Sequence, residues 1–253
     1  MTVKELDAYF RSILDLEGFA ATDPSLNGLQ VDNDGSPIGK IAFAVDASLE
    51  AVELAAARGA GLLFVHHGLF WGAPLAIVGA HRARVERLLQ RNIALYAAHL
   101  PLDQHPELGN NAVLAGRLGL QDPQAFGTYH GRKIGWKGAL AEPLDINEAA
   151  RRVSHMNRPP LAILPFGKKI NRTCAVVSGG AAMEALQAID EGLDLYVTGE
   201  AGHTIYHHAQ ESGLNIVAAG HYATEVWGVN ALSERAANDA GLQTEFLDLP
   251  TGL

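Results

Sequence analysis

The chain repeats one order of secondary-structure patterns, and this repeat constrains its fold more than any other feature. The first copy is IAFAVDASLEAVELAAARGAGLLFVHHG at residues 41–68, and the second is CAVVSGGAAMEALQAIDEGLDLYVTGE at residues 174–200. Each copy has an apolar run, a helical pattern and a second apolar run, followed by a helix and a further strand. Strands that alternate with helices predict parallel pairing. We therefore expect an α/β fold of two similar halves that arose by internal duplication.

A connecting segment between the copies is expected to belong to the second half. It carries a strand pattern at KGALAE, a helix that Asp145 or Asn147 would cap, and a further strand at LAILPF. We interpret its Gly-rich stretch GTYHGRKIGWKG as a solvated hairpin rather than a ligand loop. The predicted first half is residues 1–125, completed by residues 240–253, and the predicted second half is residues 126–239.

The bulk composition is that of a globular protein without a global basic field. Of the 253 residues, 48% are hydrophobic and 19% are charged, and the formal net charge is -9. This acidic balance argues against direct nucleic-acid binding and against attraction to anionic membranes. The opening stretch MTVKELDAYFRSILDLEG is typical of an amphipathic helix rather than of a targeting segment, and no apolar run reaches membrane-spanning length. We expect a cytoplasmic protein.

Cys174 is the only cysteine of the chain. A single cysteine excludes an internal disulfide and any zinc site built on several thiolates. Because no base neighbours it in sequence, we interpret Cys174 as a small buried hydrophobic residue rather than as a reactive thiol.

Two adjacent histidines, His66 and His67, follow the apolar run LLFV. Neighbouring side chains of a regular strand point to opposite faces of the sheet. Both imidazoles can therefore serve one site only if the strand ends there or if the site has two parts.

Each copy places a further histidine at a strand end and a carboxylate four residues later. These pairs are His99 with Asp103, and His221 with Glu225. In parallel α/β sheets, the loops beyond the carboxyl ends of strands form ligand sites. The second pair should share one face in the first turns of a helix. Pro101 argues against a helical turn in the first pair, so we expect Asp103 on a loop that doubles back.

The candidate ligands combine imidazoles and carboxylates without a thiolate. Such a donor set suits zinc, iron, manganese, cobalt or nickel. Two divalent ions would resolve the problem of the adjacent histidines, since His66 and His67 could each bind one ion. A carboxylate such as Glu225 could then bridge ions about 3.5–4 Å apart and help to hold a hydroxide nucleophile. One ion in one shared site is the alternative.

Several motifs together resemble the Nif-three-like dinuclear-metal family, whose members are often named GTP cyclohydrolase I type 2 homologs. The motifs are SLNGLQVDN, HHGLFW, HLPLD, VTGEAGH and GHYATE, and the resemblance covers nearly the whole chain. It implies a dinuclear metal site in the cleft between two α/β halves, and assembly into a ring-shaped homohexamer.

The resemblance also implies roles for individual residues. His67 and Asp103 would hold one metal ion, His66 and His221 the other, and Glu225 both. The duplication by itself would make His99 a ligand as well, whereas the family pattern places His99 beside the metals. There, His99 and Glu200 would assist proton transfer.

Three functions are compatible with these residues. The leading hypothesis is a metal-dependent hydrolase acting on a nucleotide-type substrate, for which the family name implies opening of a purine ring. A metal-dependent phosphoesterase would use the same metal chemistry, and no phosphate-binding loop of the Walker type is present to decide. The third is a protein without turnover, either a metal-binding or metal-trafficking protein or a hexameric scaffold.

Other residues near these motifs have ordinary structural interpretations. The segment of Asn27, Gly28 and Gln30 could shape a loop over the site, although a turn that needs Gly28 would also explain it. Trp71 and Trp227 could stack on a base, but aromatic residues in such positions more often belong to the core. Exposed helix positions are expected for His207 and His208.

Overall fold

The computed structural model describes residues 1–239 and 241–253, which form a mixed α/β fold with two sheets. The helices are α1 (Val3–Ile13), α2 (Leu16–Phe19), α3 (Leu49–Ala57), α4 (Gly79–Gln90), α5 (Leu100–Asp103), α6 (Asn110–Leu118), α7 (Ile146–Val153), α8 (Ala185–Asp190), α9 (His203–Ser212) and α10 (His221–Ala240). The strands are β1 (Gly28–Val31), β2 (Lys40–Asp46), β3 (Leu62–His67), β4 (Ala94–Ala97), β5 (Leu120–Tyr129), β6 (Arg132–Leu144), β7 (Ala162–Pro165), β8 (Asn171–Val177), β9 (Leu195–Thr198), β10 (Asn215–Ala218) and β11 (Gln243–Phe246).

Contacts divide the chain into two compact units. Unit 1 comprises Met1–Leu102 and Val229–Leu249, and unit 2 comprises Asp103–Gly228 and Pro250–Leu253. These bounds differ from those of the predicted halves, because residues 103–125 and 250–253 pack in unit 2 and residues 229–239 pack in unit 1. Helix α6 contributes Leu114 and Leu118 to the hydrophobic cluster of that unit.

Unit 1 contains a five-stranded sheet in the order β1-β4-β3-β2-β11. Strands β4, β3, β2 and β11 pair in parallel, as the repeat predicts, and β1 is antiparallel to β4. The apolar runs of β2, β3 and β4 are buried on both faces. Phe10 of the amphipathic helix α1 packs on Phe64 and Tyr96, with ring centroids 5.0 and 4.9 Å away. The C-terminal strand β11 completes this sheet.

Unit 2 contains a six-stranded sheet in the order β5-β6-β8-β9-β10-β7. The three strands of the second copy and its continuation, β8, β9 and β10, pair in parallel. The connecting segment supplies the antiparallel strands β5, β6 and β7. The stretch GTYHGRKIGWKG forms the β5–β6 hairpin, which turns at His130 and Gly131 with φ of 47° and 83°. Asp145 caps α7, as predicted.

Cys174 lies on β8 within the hydrophobic cluster of unit 2 and is fully buried. Burial raises the pKa of its thiol well above the usual range, so the thiol stays protonated. This agrees with its interpretation as a core residue. Within the described part of the chain, no helix combines the length and the apolar character needed to span a bilayer.

A buried carboxylate, Asp194, connects β8 to the loop before β9. Its Oδ2 accepts hydrogen bonds from the backbone N–H groups of Arg172 and Thr173 at 2.8 and 3.2 Å, and its Oδ1 lies 2.6 Å from Lys168 Nζ. Burial would raise the pKa of Asp194, but the bonds to Lys168 and to the backbone lower it below its ordinary value of 3.8.

Asp194→Asn is expected to destabilise the protein by about 2 kcal/mol at neutral pH, because it removes the charge that these donors face. Since the folded-state pKa is lowered, the contribution is present above the unfolded pKa and is lost as the pH falls below about 4. Urea unfolding of the unaltered protein and of Asp194→Asn, from about pH 7 to about pH 3, measures this loss. The free energies of unfolding of the two proteins should converge as the pH falls. The exposed Asp190 provides a control, and Asp190→Asn should change stability by less than about 0.5 kcal/mol. A difference for Asp194→Asn that does not depend on pH would contradict the assignment.

Candidate metal centre

His66 and His67 lie together because strand β3 ends at His67. Their ring centroids are 4.7 Å apart. The chain then leaves the strand at Gly68, where a Cβ atom would clash with the amide group of Gln30. The sequence allows two explanations for adjacent histidines in one site, a strand that ends there or a site with two parts. The structure shows that the strand ends there.

Each histidine of this group has its Nδ1 atom against an oxygen acceptor. The pairs are His66 Nδ1 with the carbonyl oxygen of Ala98, His67 Nδ1 with Asp46 Oδ1, and His99 Nδ1 with Asp23 Oδ1, each at 2.9 Å. An oxygen acceptor at Nδ1 selects the tautomer with hydrogen on Nδ1 and directs the lone pair to Nε2. Metal-binding histidines in proteins have this arrangement.

His99 joins the same group, although the family pattern places it beside the metals. The donor atoms of His66, His67 and His99 all lie within 4.8 Å of one another, a spacing that could hold a metal ion. His66 is fully buried, and His67 and His99 are partly exposed. Unit 1 thus presents a cluster of three nitrogen donors.

Asp23 orients His99 and was missed in the sequence. Its carboxylate is buried and also accepts hydrogen bonds from the backbone N–H groups of Ser25 and Leu100 at 2.9 and 3.0 Å. Burial would raise the pKa of Asp23, but the hydrogen bond and charge of His99, with a further bond from Asn27, lower it. The carboxylate is therefore ionised where it meets the imidazole. Asp23 acts through contacts with residues far away in the sequence, so no local sequence pattern indicates its role.

The segment of Asn27, Gly28 and Gln30 does contact the histidine loops. Asn27 Oδ1 accepts from the backbone N–H of His99 at 2.8 Å, and Gln30 Oε1 accepts from that of Leu69 at 2.7 Å. Gly28 has φ of 107°, so the turn also requires glycine. Gly28 and Gln30 lie on strand β1, so the segment is not the loop over the site that the sequence suggested.

In unit 2, Asp103 is the last residue of α5 rather than part of an irregular loop. The expected loop at Asp103 was wrong, because proline is tolerated in the first turn of a helix, where its missing N–H group has no intrahelical partner. His99 precedes α5, so the pair does not lie within one helix, as Pro101 suggested. Asp103 is buried, and its Oδ1 accepts from Asn110 Nδ2 at 2.9 Å and from Ser178 Oγ at 3.0 Å.

A buried amide network links Asp103 to helix α10. Asn110 Oδ1 accepts from the backbone N–H of Gly228 at 2.7 Å, while its Nδ2 donates to Asp103. Asn111 Oδ1 accepts from the backbone N–H of Ser178 at 2.6 Å. Both asparagines are fully buried, and their bonds fix the Asp103 carboxylate against the first turns of α10.

His221 and Glu225 share one face of α10, as their spacing predicts. His221 Nε2 lies 3.2 Å from Glu225 Oε1, and His221 Nδ1 lies 2.5 Å from Glu200 Oε1. Burial would lower the pKa of His221, but its bonds with Glu225 and Glu200 raise it to about 9. A divalent ion bound at Nε2 would take the place of the proton that these carboxylates stabilise.

Gly179, in the loop after β8, allows the Glu225 carboxylate to approach the backbone. A Cβ atom at Gly179 would clash with Glu225 Oε1 and would lie 3.3 Å from His221 Nε2, and its φ is 66°. The motif SGG signals a turn, and both the positive φ and the contact with Glu225 disfavour a side chain at Gly179. Gly179 is thus a further residue of the site that the sequence did not reveal.

The predicted ligands thus fall into two sets, each built within its own unit. Unit 1 holds His66 and His67, with His99, and unit 2 holds Asp103, His221 and Glu225, with Glu200. The donors are nitrogen and oxygen atoms throughout, which fits the mixed site expected from the sequence. His207 and His208 are exposed on α9, as predicted.

The chain resembles known proteins over its full length. A model of the Duf34/NIF3 family (NGG1p interacting factor 3) matches residues 1–251. A Treponema pallidum protein named GTP cyclohydrolase 1 type 2 homolog is 42% identical, and the match covers 100% of both chains. A Deinococcus radiodurans protein of the same name is 45% identical over 92% of this chain and 89% of its own.

A solved structure shows the same fold. The crystal structure of a Thermus thermophilus protein superposes with a TM-score of 0.90 at 39% identity and covers 100% of both chains. The resemblance inferred from the motifs is therefore confirmed. The chain belongs to the Duf34/NIF3 family.

Proposed function

We propose that this protein is a metal-dependent hydrolase that binds two divalent ions and acts on a nucleotide-type substrate. One observation carries the metal assignment. Four histidines at the predicted positions have Nδ1 against an oxygen atom of their own unit, which leaves Nε2 as the donor atom for a metal ion. The acceptors are the carbonyl of Ala98 for His66, Asp46 for His67, Asp23 for His99 and Glu200 for His221.

The proposed distribution of ligands follows the family resemblance. His67 and Asp103 would hold one ion, His66 and His221 would hold the other, and Glu225 would serve both. Bound divalent ions would supply a nucleophilic water at neutral pH and neutralise negative charge on the substrate. Zinc, iron, manganese, cobalt and nickel all accept this donor set. Assembly as a ring-shaped hexamer and a cytoplasmic location stay predictions.

The residues around the ligands have roles that their contacts support. Asp23 keeps a proton on Nδ1 of His99, so that Nε2 of His99 can take a proton from water and then pass that proton to a leaving group. Glu200 shares a proton with His221 Nδ1, and this contact supports the role in proton transfer that we propose for Glu200. The names of the relatives support a nucleotide-type substrate.

Metal analysis of the purified protein tests the assignment. We expect about two ions per chain, and we expect Glu225→Ala to lose most of the bound metal, because one carboxylate serves both ions. Glu225→Gln, which keeps the shape of the side chain, should lose metal as well. His208→Ala is the control, since His208 is exposed on α9, and should keep the full metal content. Absence of metal from the unaltered protein, in every medium supplied with these metals, would reject the proposal.

A matched pair of glycine variants tests the position of Glu225. Gly179 and Gly192 have nearly equal φ of 66° and 68°, but a Cβ atom at Gly192 meets nothing within 4 Å. Both alanine variants should lose about 1–2 kcal/mol of stability from the left-handed conformation. Only Gly179→Ala should also weaken metal affinity, by about tenfold or more, as measured by competition with a chelator. Equal metal affinity in the two variants would show that this contact does not position the ligand.

Turnover is tested by presenting nucleotides and phosphoesters to the metal-loaded protein. His66→Ala and Asp103→Ala should lower kcat/KM by about 100-fold or more, whereas His208→Ala should change it by less than about twofold. Full metal loading without turnover of any nucleotide would favour a metal-binding or scaffold protein. Turnover confined to phosphoesters would favour the phosphoesterase hypothesis.

A further inference from the structure

A cavity of about 430 Å³ in unit 1 is lined by Asp23 and Trp71, both of which contact His99. Two segments form its walls, one around Ser25 and one around Trp71, and they pair in antiparallel fashion at these two residues. The backbone N–H of Leu26 donates to the carbonyl of Phe70 at 3.0 Å, and that of Gly72 donates to the carbonyl of Pro24 at 2.6 Å. The walls are therefore held by backbone hydrogen bonds. The volume is within the range of small-molecule sites.

Trp71 connects this cavity to the histidine cluster. Its ring lies edge to face with His99, with centroids 4.9 Å apart, and 6.0 Å from the ring of His67. Its Nε1 donates to the carbonyl oxygen of Gly68 at 2.9 Å, which fixes the orientation of the indole. The side chain is only partly buried. An oriented and accessible indole is a stacking surface for a flat ligand.

The lining of the cavity carries no positive charge. It contains no lysine, arginine or histidine, and its one ionisable group is Asp23. The Asp23 carboxylate is ionised and is already bound by His99, Asn27 and backbone N–H groups. The larger apolar residues of the lining are Pro24, Leu26, Phe70, Trp71, Pro74 and Leu75. A phosphate would find no cation here and would face a carboxylate, so this lining disfavours an anion.

Ser25 supplies a polar contact within this lining. The residue is 6% exposed, and across residues 1–239 and 241–253 its hydroxyl has no hydrogen-bond partner. Buried hydroxyl groups are rarely left without a partner in native proteins. A ligand that presents a polar edge to the wall of the cavity would provide one.

We propose that this cavity binds a flat, uncharged aromatic or heteroaromatic ring, which stacks on Trp71 and forms a hydrogen bond with the hydroxyl of Ser25. The ring places the bond to be cleaved beside His66, His67 and His99, and any phosphate of the ligand lies outside the cavity. The inference rests on the proposed function, because it takes these histidines to be the reacting centre. Trp71 is then a determinant of specificity rather than a core residue.

Fluorescence of Trp71 reports ring binding directly. The chain has three tryptophans, so Trp136→Phe with Trp227→Phe leaves Trp71 as the only indole. Adenosine, guanosine and quinoline should quench its emission in a saturable manner, whereas inorganic phosphate and pyrophosphate should not. Calorimetry on the protein with all three tryptophans gives the same comparison without these substitutions.

Substitutions at the cavity then identify the contacts. Trp71→Ala should weaken ring binding by about tenfold or more, and Trp71→Phe should recover most of it, because phenylalanine also stacks. Ser25→Ala should weaken binding of the nucleosides by about fivefold, with quinoline less affected. Trp227→Phe, in unit 2, should leave binding unchanged. Circular dichroism and urea unfolding confirm that each variant is folded.

Metal content, measured on the same samples, separates this inference from the proposed function. Ring binding that depends on Trp71 supports the cavity even in a protein that binds no metal, in which case only the proposed function fails. A metal-loaded protein that binds none of the three rings would overturn the inference. Equal ring affinity in Trp71→Ala, or phosphate that quenches Trp71 as strongly as the nucleosides, would overturn it as well.

Discussion

The arrangement of the site depends on one interaction, the bond between the Nδ1 atom of a histidine and an oxygen acceptor. An imidazole on a strand end can rotate and can carry its proton on either nitrogen, so its orientation and its donor atom are undefined until one nitrogen is hydrogen-bonded. The parallel sheet of unit 1 supplies the acceptor through its register, since Asp46 of β2 is the direct partner of His67 on β3. Strand pairing, which folds the unit, thus also sets the chemistry of the ring.

Much of this could be predicted because it depends on local patterns. The repeated strand and helix patterns predicted the parallel strands of both sheets, and the spacing of His221 and Glu225 predicted their shared helix face. The residues that were missed act over long sequence distances. Asp23 meets His99 across 76 positions, and Ser178 meets Asp103 across 75, so no short motif could reveal either contact.

The unit bounds show how a duplication and a packed core can differ. The sequence repeat runs through HLPLD as the end of its first copy, whereas contacts place Asp103 and α6 with unit 2. The reason is that α6 carries leucines toward β6 and α7, and burial of leucine side chains there outweighs the order of the repeat. As a result, HLPLD gives His99 to one unit and Asp103 to the other.

The burial of Cys174 has a consequence for toxic metals. Cadmium and copper(I) prefer sulfur, and they displace native ions most readily from sites that contain a thiolate. Here the only sulfhydryl group of the chain is enclosed among apolar side chains on β8 and keeps its proton. A protein with this arrangement offers soft ions no thiolate on β8, so at the proposed site such ions could compete only for its nitrogen and oxygen donors.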